Sequence, residues 1–289
     1  MAITKTSIQF SHPDVEIFIP DGRSLEDALQ RTTHLGIGAH QDDLEIIAIP
    51  GILDCWEKTD LWFSGVVVTN GAGAPRSEMH TPLTPTDFIH TRNEEQKKAA
   101  SLGKYSAQIM LGFSSQEVKN PPLIPGLKDL HTILTHSEPE YIYIHNPLDL
   151  HPTHTAVSLL TIEAVRQLPL KERPKFLYGM ACWGGLDWTT QGNQISFDLS
   201  AQPDLQYQLL DVYKSQNSVK NYPEAVMAKR KSNATFHHYD QKDEIPYLCF
   251  GLDLTPLIRD DKLSISGFLL SKIDEHRKQS SLLLDTYLP

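Results

Sequence analysis

The chain has 289 residues, 40% of them hydrophobic and 21% charged, with a formal net charge of −10. That composition suits a globular chain with a sizeable core, and its acidity argues against non-specific binding to nucleic acid or to an anionic membrane. Cys55, Cys182 and Cys249 lie far apart with no CxxC pair, which argues against a cysteine-built zinc site or a disulfide framework, and neither a secretory apolar core at the N-terminus nor a run of about 20 apolar residues occurs, so no integral membrane segment and a cytoplasmic location are expected.

In chain order, short β-branched or aromatic runs alternate with helical patterns. Strands are expected over 34–39 (HLGIGA), 62–69 (WFSGVVVT), 107–113 (AQIMLGF), 140–145 (EYIYIH) and 175–181 (KFLYGMA). Helices are expected over 86–103, 127–137 and 153–169. Alternation of this kind implies an α/β fold, a parallel sheet with helices on both faces. The strands are continuously apolar rather than alternating, as strands covered on both sides are. After about residue 185 the rhythm changes to two further strands and two helices, with no Pro/Gly/Ser-rich linker. The expectation is one domain over 1–289, with a core at about 33–180 and a C-terminal α+β extension at about 185–289.

Two clusters of chemically active residues fall at the ends of predicted strands. The first is GAHQDDLEI (38–46). His40 sits at a strand's carboxyl end, where doubly wound sheets bind their ligands, and Asp42 and Asp43 follow at the start of a helical pattern. Residues three apart on a strand point to opposite faces, so His40 and Asp43 converge only if the chain turns after Ala39. The second cluster is IHNPLDLHPTHTAV (144–157). Pro152 suits the first helical position, which places His151 and His154 about one turn apart at a helix N-terminus. Two histidines and a carboxylate with one open position are the ligand set of a catalytic zinc site. The remaining aspartate can serve as general base, although spacing alone does not say which aspartate does which. A cation would also remove the repulsion between the two.

The pair GAHQDDLEI and HPTHTAV resembles the signatures of the PIG-L/LmbE-like de-N-acetylases, A-H-P-D-D-E and H-P-D-H. That resemblance implies a Rossmann-like fold with a zinc centre at the carboxyl ends of the strands, and removal of acetyl groups from N-acetylglucosaminyl substrates. By position it makes His40, Asp43 and His154 the metal ligands, Asp42 the general base and His151 the group that stabilises the oxyanion. TRNEEQKKAASLG (91–103) resembles a family segment in which an Arg and a Glu three residues later recur, which implies that Arg92 contacts the sugar and that Glu95 is its neighbour. VTNGAGAPR (68–76) resembles the glycine-rich loop after the second strand, with Asn70 where Asp is usual. Gln41 replaces the proline of the first signature and Leu44 separates Asp43 from Glu45. Thr153 replaces the aspartate of the second, and Asp149 can supply the hydrogen bond an imidazole then lacks.

The expected cofactor is Zn2+ or another divalent metal, and the expected partner is a small-molecule or glycoconjugate amide, not nucleic acid; homo-oligomerisation is left open. Rival readings are a zinc amidase for a non-acetyl amide and a non-catalytic sugar-binding relative. A dinucleotide enzyme would need G-x-G-x-x-G after the first strand, where this chain has GIGAHQDD. His237 and His238 read as a solvated loop.

Overall fold

The structure, a computed structural model, describes residues 8–189, 193–237 and 242–289. Within them the chain forms β1 (Glu16–Phe18), β2 (His34–Gly38), β3 (Phe63–Thr69), β4 (Ala107–Phe113), β5 (Tyr141–His145), β6 (Phe176–Met180), β7 (Gln194–Asp198) and β8 (Leu248–Asp253). All join one sheet in the order β1-β4-β3-β2-β5-β6-β8-β7. The five central strands, β4 to β6 in that order, are parallel. The sheet as a whole is mixed rather than parallel: β1 runs against β4, β8 runs against β6, and β7 runs against β8. Antiparallel strands at the margins of a parallel sheet are common, because only the centre is built from crossover units. β8 and β7 extend the same sheet, so the C-terminal part builds on the first.

The chain order reverses beside β2. From β2 the chain moves outward through β3 and β4, then returns to place β5 on the other side of β2. The carboxyl ends of β2 and β5 therefore flank the switch-point crevice where such sheets bind ligands.

Every residue of β2 and β3 is buried, and side chains leave the two faces alternately. Leu35, Ile37, Val66 and Ile109 pack under helices Ile124–Ser137 and Pro152–Arg166, through Leu130, Ile133, Val157 and Ile162. Phe63, Tyr143 and Tyr178 pack on the other face against Ile47, Ile52, Ala99 and Leu209. Gly36 explains how closely that second layer lies. A Cβ there would stand 2.8 Å from the Phe63 ring and 2.9 Å from Ala48 Cβ. Without one, helices Leu44–Ile47 and Ile49–Cys55 fold straight back onto the strand they follow. That return sets the angle of the turn carrying His40, Asp42 and Asp43.

Candidate metal centre

The turn after β2 is held by the side chain of Asp43. Its Oδ2 accepts the His40 backbone N–H at 2.6 Å and lies 3.1 Å from His40 Nδ1. Asp42 between them has φ of +89°, the left-handed region that costs a non-glycine residue energy and that Asp tolerates better than most. Its own N–H donates to Gln96 Oε1 at 3.3 Å. The strained residue swings the Asp42 and Asp43 carboxylates into different surroundings.

The opposite side of the crevice comes from β5 and the helix after it. His145 is the last residue of β5, and its Nε2 accepts the Ala39 N–H at 3.0 Å while standing 3.2 Å from Asp43 Oδ2. His151 caps helix Pro152–Arg166. Asp149 fixes that helix start: its Oδ1 accepts the His151 N–H at 2.9 Å, and its Oδ2 accepts the Trp183 N–H at 3.1 Å. The imidazole nearest Asp149 is that of His154, with Nδ1 3.5 Å from Oδ1. His154 Nε2 lies 3.5 Å from Asp43 Oδ1. The His154 ring centroid is 5.3 Å from that of His40, 4.4 Å from His151 and 3.7 Å from His145.

These histidines carry an unusual load of unmet polar atoms. Both ring nitrogens of His154 and the Nδ1 atoms of His145 and His151 are buried with no hydrogen-bond partner. A buried polar atom left unpaired costs about 1–3 kcal/mol, so several around one carboxylate describe a donor set shaped for a cation. Asp43, His145, His154 and Cys182 each offer a ligand atom within 4.8 Å of the others.

The charges divide sharply. Burial alone would raise Asp43, but the charges of His154 and His145 and its close contacts with the His145 and His40 rings hold it well below the usual carboxylate range. Asp42 is pushed the other way, to about 8, by burial and by the Asp43 and Glu45 carboxylates, with Arg92 opposing. Burial lowers His145 to about 4, as do the charges of His154 and His40, with Asp43 opposing. Burial and its histidine neighbours lower His151 to about 4 as well. Only His154 moves up, because Asp43 and Asp149 outweigh its burial.

Arg92 is 2% exposed, and its guanidinium is already engaged. Nη1 donates to Gly71 O at 3.0 Å, and Nη2 donates to Gln41 O at 2.7 Å and Asp42 Oδ2 at 3.3 Å. Gly71, at φ +68°, makes room for this: a Cβ would lie 2.2 Å from Gln41 Oε1 and 2.5 Å from Arg92 Nη1. Glu95 points elsewhere and accepts the Ser215 N–H and hydroxyl at 2.8 and 2.6 Å. His237 faces Phe250, and His238 lies outside the described residues.

A cavity of about 280 Å³ opens over this floor, lined by His40, Asp42, Asp43, Arg92 and His151 among others. The structure thus brings together His40, Asp42, Asp43, Asp149, His151 and His154, and sets Arg92 behind Asp42. Two neighbours were not singled out from sequence. His145 ends a predicted strand just as His40 follows one, and that position was its signal. Cys182 follows the end of the next strand but is a single cysteine, which by itself reads as a small buried hydrophobe.

The family model described as GlcNAc-PI de-N-acetylase, PIG-L, matches residues 35–165. No curated protein matches significantly. Among solved structures, N,N′-diacetylchitobiose deacetylase from Pyrococcus horikoshii is similar over 80% of this chain and 86% of its own, with a TM-score of 0.62 and 18% identity. The 4-carboxy-2-hydroxymuconate hydratase of Pseudomonas putida KT2440 is similar over 77% of this chain and 95% of its own, at 0.60 and 15%. The deacetylase for A40926 pseudoaglycone is similar over 77% and 97%, at 0.57 and 18%. Identities this low show a shared fold; a hydratase beside deacetylases illustrates that the fold alone does not set the reaction. Residues 35–165, which carry both strand-end clusters, match the family model of the PIG-L de-N-acetylases.

Proposed function

We propose that the protein is a metal-dependent hydrolase that removes the acetyl group from an N-acetylglucosamine-type substrate. The observation that carries this reading is the group of unpartnered histidine nitrogens around Asp43, which itself lines an open cavity. His40, Asp43 and His154 would hold the metal, zinc or another divalent ion. His145 is the less suitable third ligand, because its Nε2 already accepts the Ala39 N–H. His40 borders the cavity. Such a metal supplies a Lewis acid and brings the pKa of a bound water toward ~7.

The remaining work falls to the chain's own groups. Asp42 borders the cavity beside Asp43; a bound cation would draw its raised pKa down, leaving the carboxylate to take the proton of the attacking water and pass it to the departing amine. Arg92 holds Asp42 from behind through Nη2 and so acts as a positioning residue. His151, kept neutral by burial, donates its ring N–H to the oxyanion that forms on the amide carbonyl. Asp149 holds the helix start that aims His151. Polar side chains of Ser115, Lys119, Thr153 and Gln216 around the cavity suit a hydroxyl-rich amine portion.

The test is acetate release from N-acetylglucosamine and N,N′-diacetylchitobiose by protein loaded with zinc or another divalent metal. Release that disappears with chelator and returns with metal supports the reading. No acetate above the buffer rate with any metal would end it.

A further inference from the structure

A hydrolysed amide has two sides, and the candidate site has two unequal cavities. The polar one is described above. A second, of about 240 Å³, meets it at Asp42, Asp43, Trp183 and Tyr222, all of which line both. The rings of Trp183 and Tyr222 stand edge to face, 6.4 Å apart, where the two cavities join. Ile46, Ala181, Val226, Cys249 and Phe250 make the second cavity's walls apolar.

Three of its polar members, Lys229, Arg230 and Asn233, are already committed to the protein. Lys229 Nζ donates to Cys182 O at 2.8 Å. Arg230 Nη2 donates to Glu45 O at 2.7 Å and its Nη1 to Gln206 Oε1 at 2.9 Å. Asn233 Nδ2 donates to Leu248 O at 3.1 Å. A polar ligand group would have to displace one of these bonds, whereas a hydrocarbon would not. An acetyl methyl would leave most of the space unused, since 240 Å³ is room for about eight water-sized groups.

We infer that the second cavity receives the acyl side of the substrate, and that the protein takes N-acyl amino sugars with linear acyl chains of more than two carbons in preference to N-acetyl ones. This rests on the proposed amide hydrolysis and names the acyl class for it. The reaction stays balanced: water adds across the amide, the C–N bond breaks, a C–O bond forms, the proton goes to the amine, and a fatty acid leaves with the free amino sugar. Much of the cavity wall comes from helix Tyr222–Thr235 and strand β8, so the C-terminal part of the chain sets this preference.

The experiment compares kcat/KM of the metal-loaded protein on N-acetyl-, N-butanoyl- and N-hexanoylglucosamine, beside calorimetric titration with sodium hexanoate and sodium acetate. Each fully buried methylene is worth up to about fourfold, so the hexanoyl substrate should exceed the acetyl one by at least about tenfold. Hexanoate should bind more tightly than acetate by a similar factor. Val226→Trp, which fills the cavity from the helix, should cut both ratios at least about tenfold. Ala225→Phe, at an exposed position on the same wall, serves if Val226→Trp does not fold. Acetyl hydrolysis with no gain on longer chains and no hexanoate preference overturns the inference and leaves the deacetylase reading intact. Hexanoate preference that the variants abolish, without hydrolysis of any amide, supports the cavity's role and ends the hydrolase reading instead.

Discussion

Asp42 and Asp43 are neighbours in sequence, yet one is driven toward a proton and the other away from it. The left-handed backbone at Asp42 separates them: Asp43 faces three imidazoles, while Asp42 faces Arg92. Asp42→Asn should therefore keep its metal and lose about 10²–10⁴-fold in kcat, the usual worth of a general base. Elemental analysis beside turnover checks this, and loss of metal together with activity would instead make Asp42 a ligand. The third ligand is settled by three variants. His40→Ala and His154→Ala should each lose most of the metal on dialysis, and His145→Ala should retain more than either. A His145→Ala protein as empty as the others would move the ion inward toward Cys182. Arg92→Ala leaves the buried carbonyl of Gln41 without this donor and removes one of the two donors to Gly71 O, which keeps the Ala74 N–H. It should cost on the order of 3 kcal/mol, seen as a lower midpoint in denaturant as well as slower turnover. Lower turnover at unchanged stability would return Arg92 to the sugar contact expected from sequence.

At the level of elements, the parallel strands were legible because burial on both faces forces long apolar runs, and β2 to β6 each fall within a residue or two of their expected bounds. The first half of the site was legible for the same reason: a polar cluster directly after such a run must lie at a strand end. What sequence did not give has equally physical causes. β1 is three residues long and exists only through pairing with β4, about ninety residues away, so nothing local announces it. Helix Tyr222–Thr235 buries only Pro223 and Arg230, so it has no apolar stripe to read, yet it walls the second cavity. His145 belongs to an apolar strand, and its contact with Asp43 depends on strand order rather than spacing. The dense packing of β2 gives a test at this scale. Gly36→Val should push the helices after β2 off the sheet, at a cost of about 1–3 kcal/mol for an overpacked core, with metal affinity falling as the turn shifts. Full stability and full metal content in that variant would show that the return of the chain onto β2 does not set the site.

Across the whole molecule, the same burial that shapes the site ties stability to pH. His34, at the opposite end of β2 from the metal centre, is the cleanest probe. It is buried, stacks on Tyr141 at 4.5 Å between ring centroids, and has Nδ1 2.9 Å from Thr33 Oγ1 and 3.3 Å from Cys55 Sγ. Burial lowers it to about 4, against a weaker opposing pull from Glu140. In the unfolded chain it titrates near its ordinary value of about 6.5. Between those two values the unfolded state binds the extra proton, so unfolding free energy rises with pH there. The contribution is fully present above about 6.5 and is lost as pH falls toward 4. Its upper limit is roughly 3 kcal/mol, about 1.4 kcal/mol for each pH unit separating the two values. His145 and His151 act in the same direction and His154 in the opposite one, but all three lie at the candidate metal centre and would titrate with its occupancy. Comparing wild type with His34→Phe at fixed metal concentration cancels that part. Denaturant midpoints measured from pH 7.5 down to 4.5 should fall more steeply for the wild type than for His34→Phe, even though the variant starts lower at pH 7.5 because it disturbs a packed ring. Parallel curves would mean that His34 titrates alike in the folded and unfolded chain, and that the acid sensitivity comes from other groups.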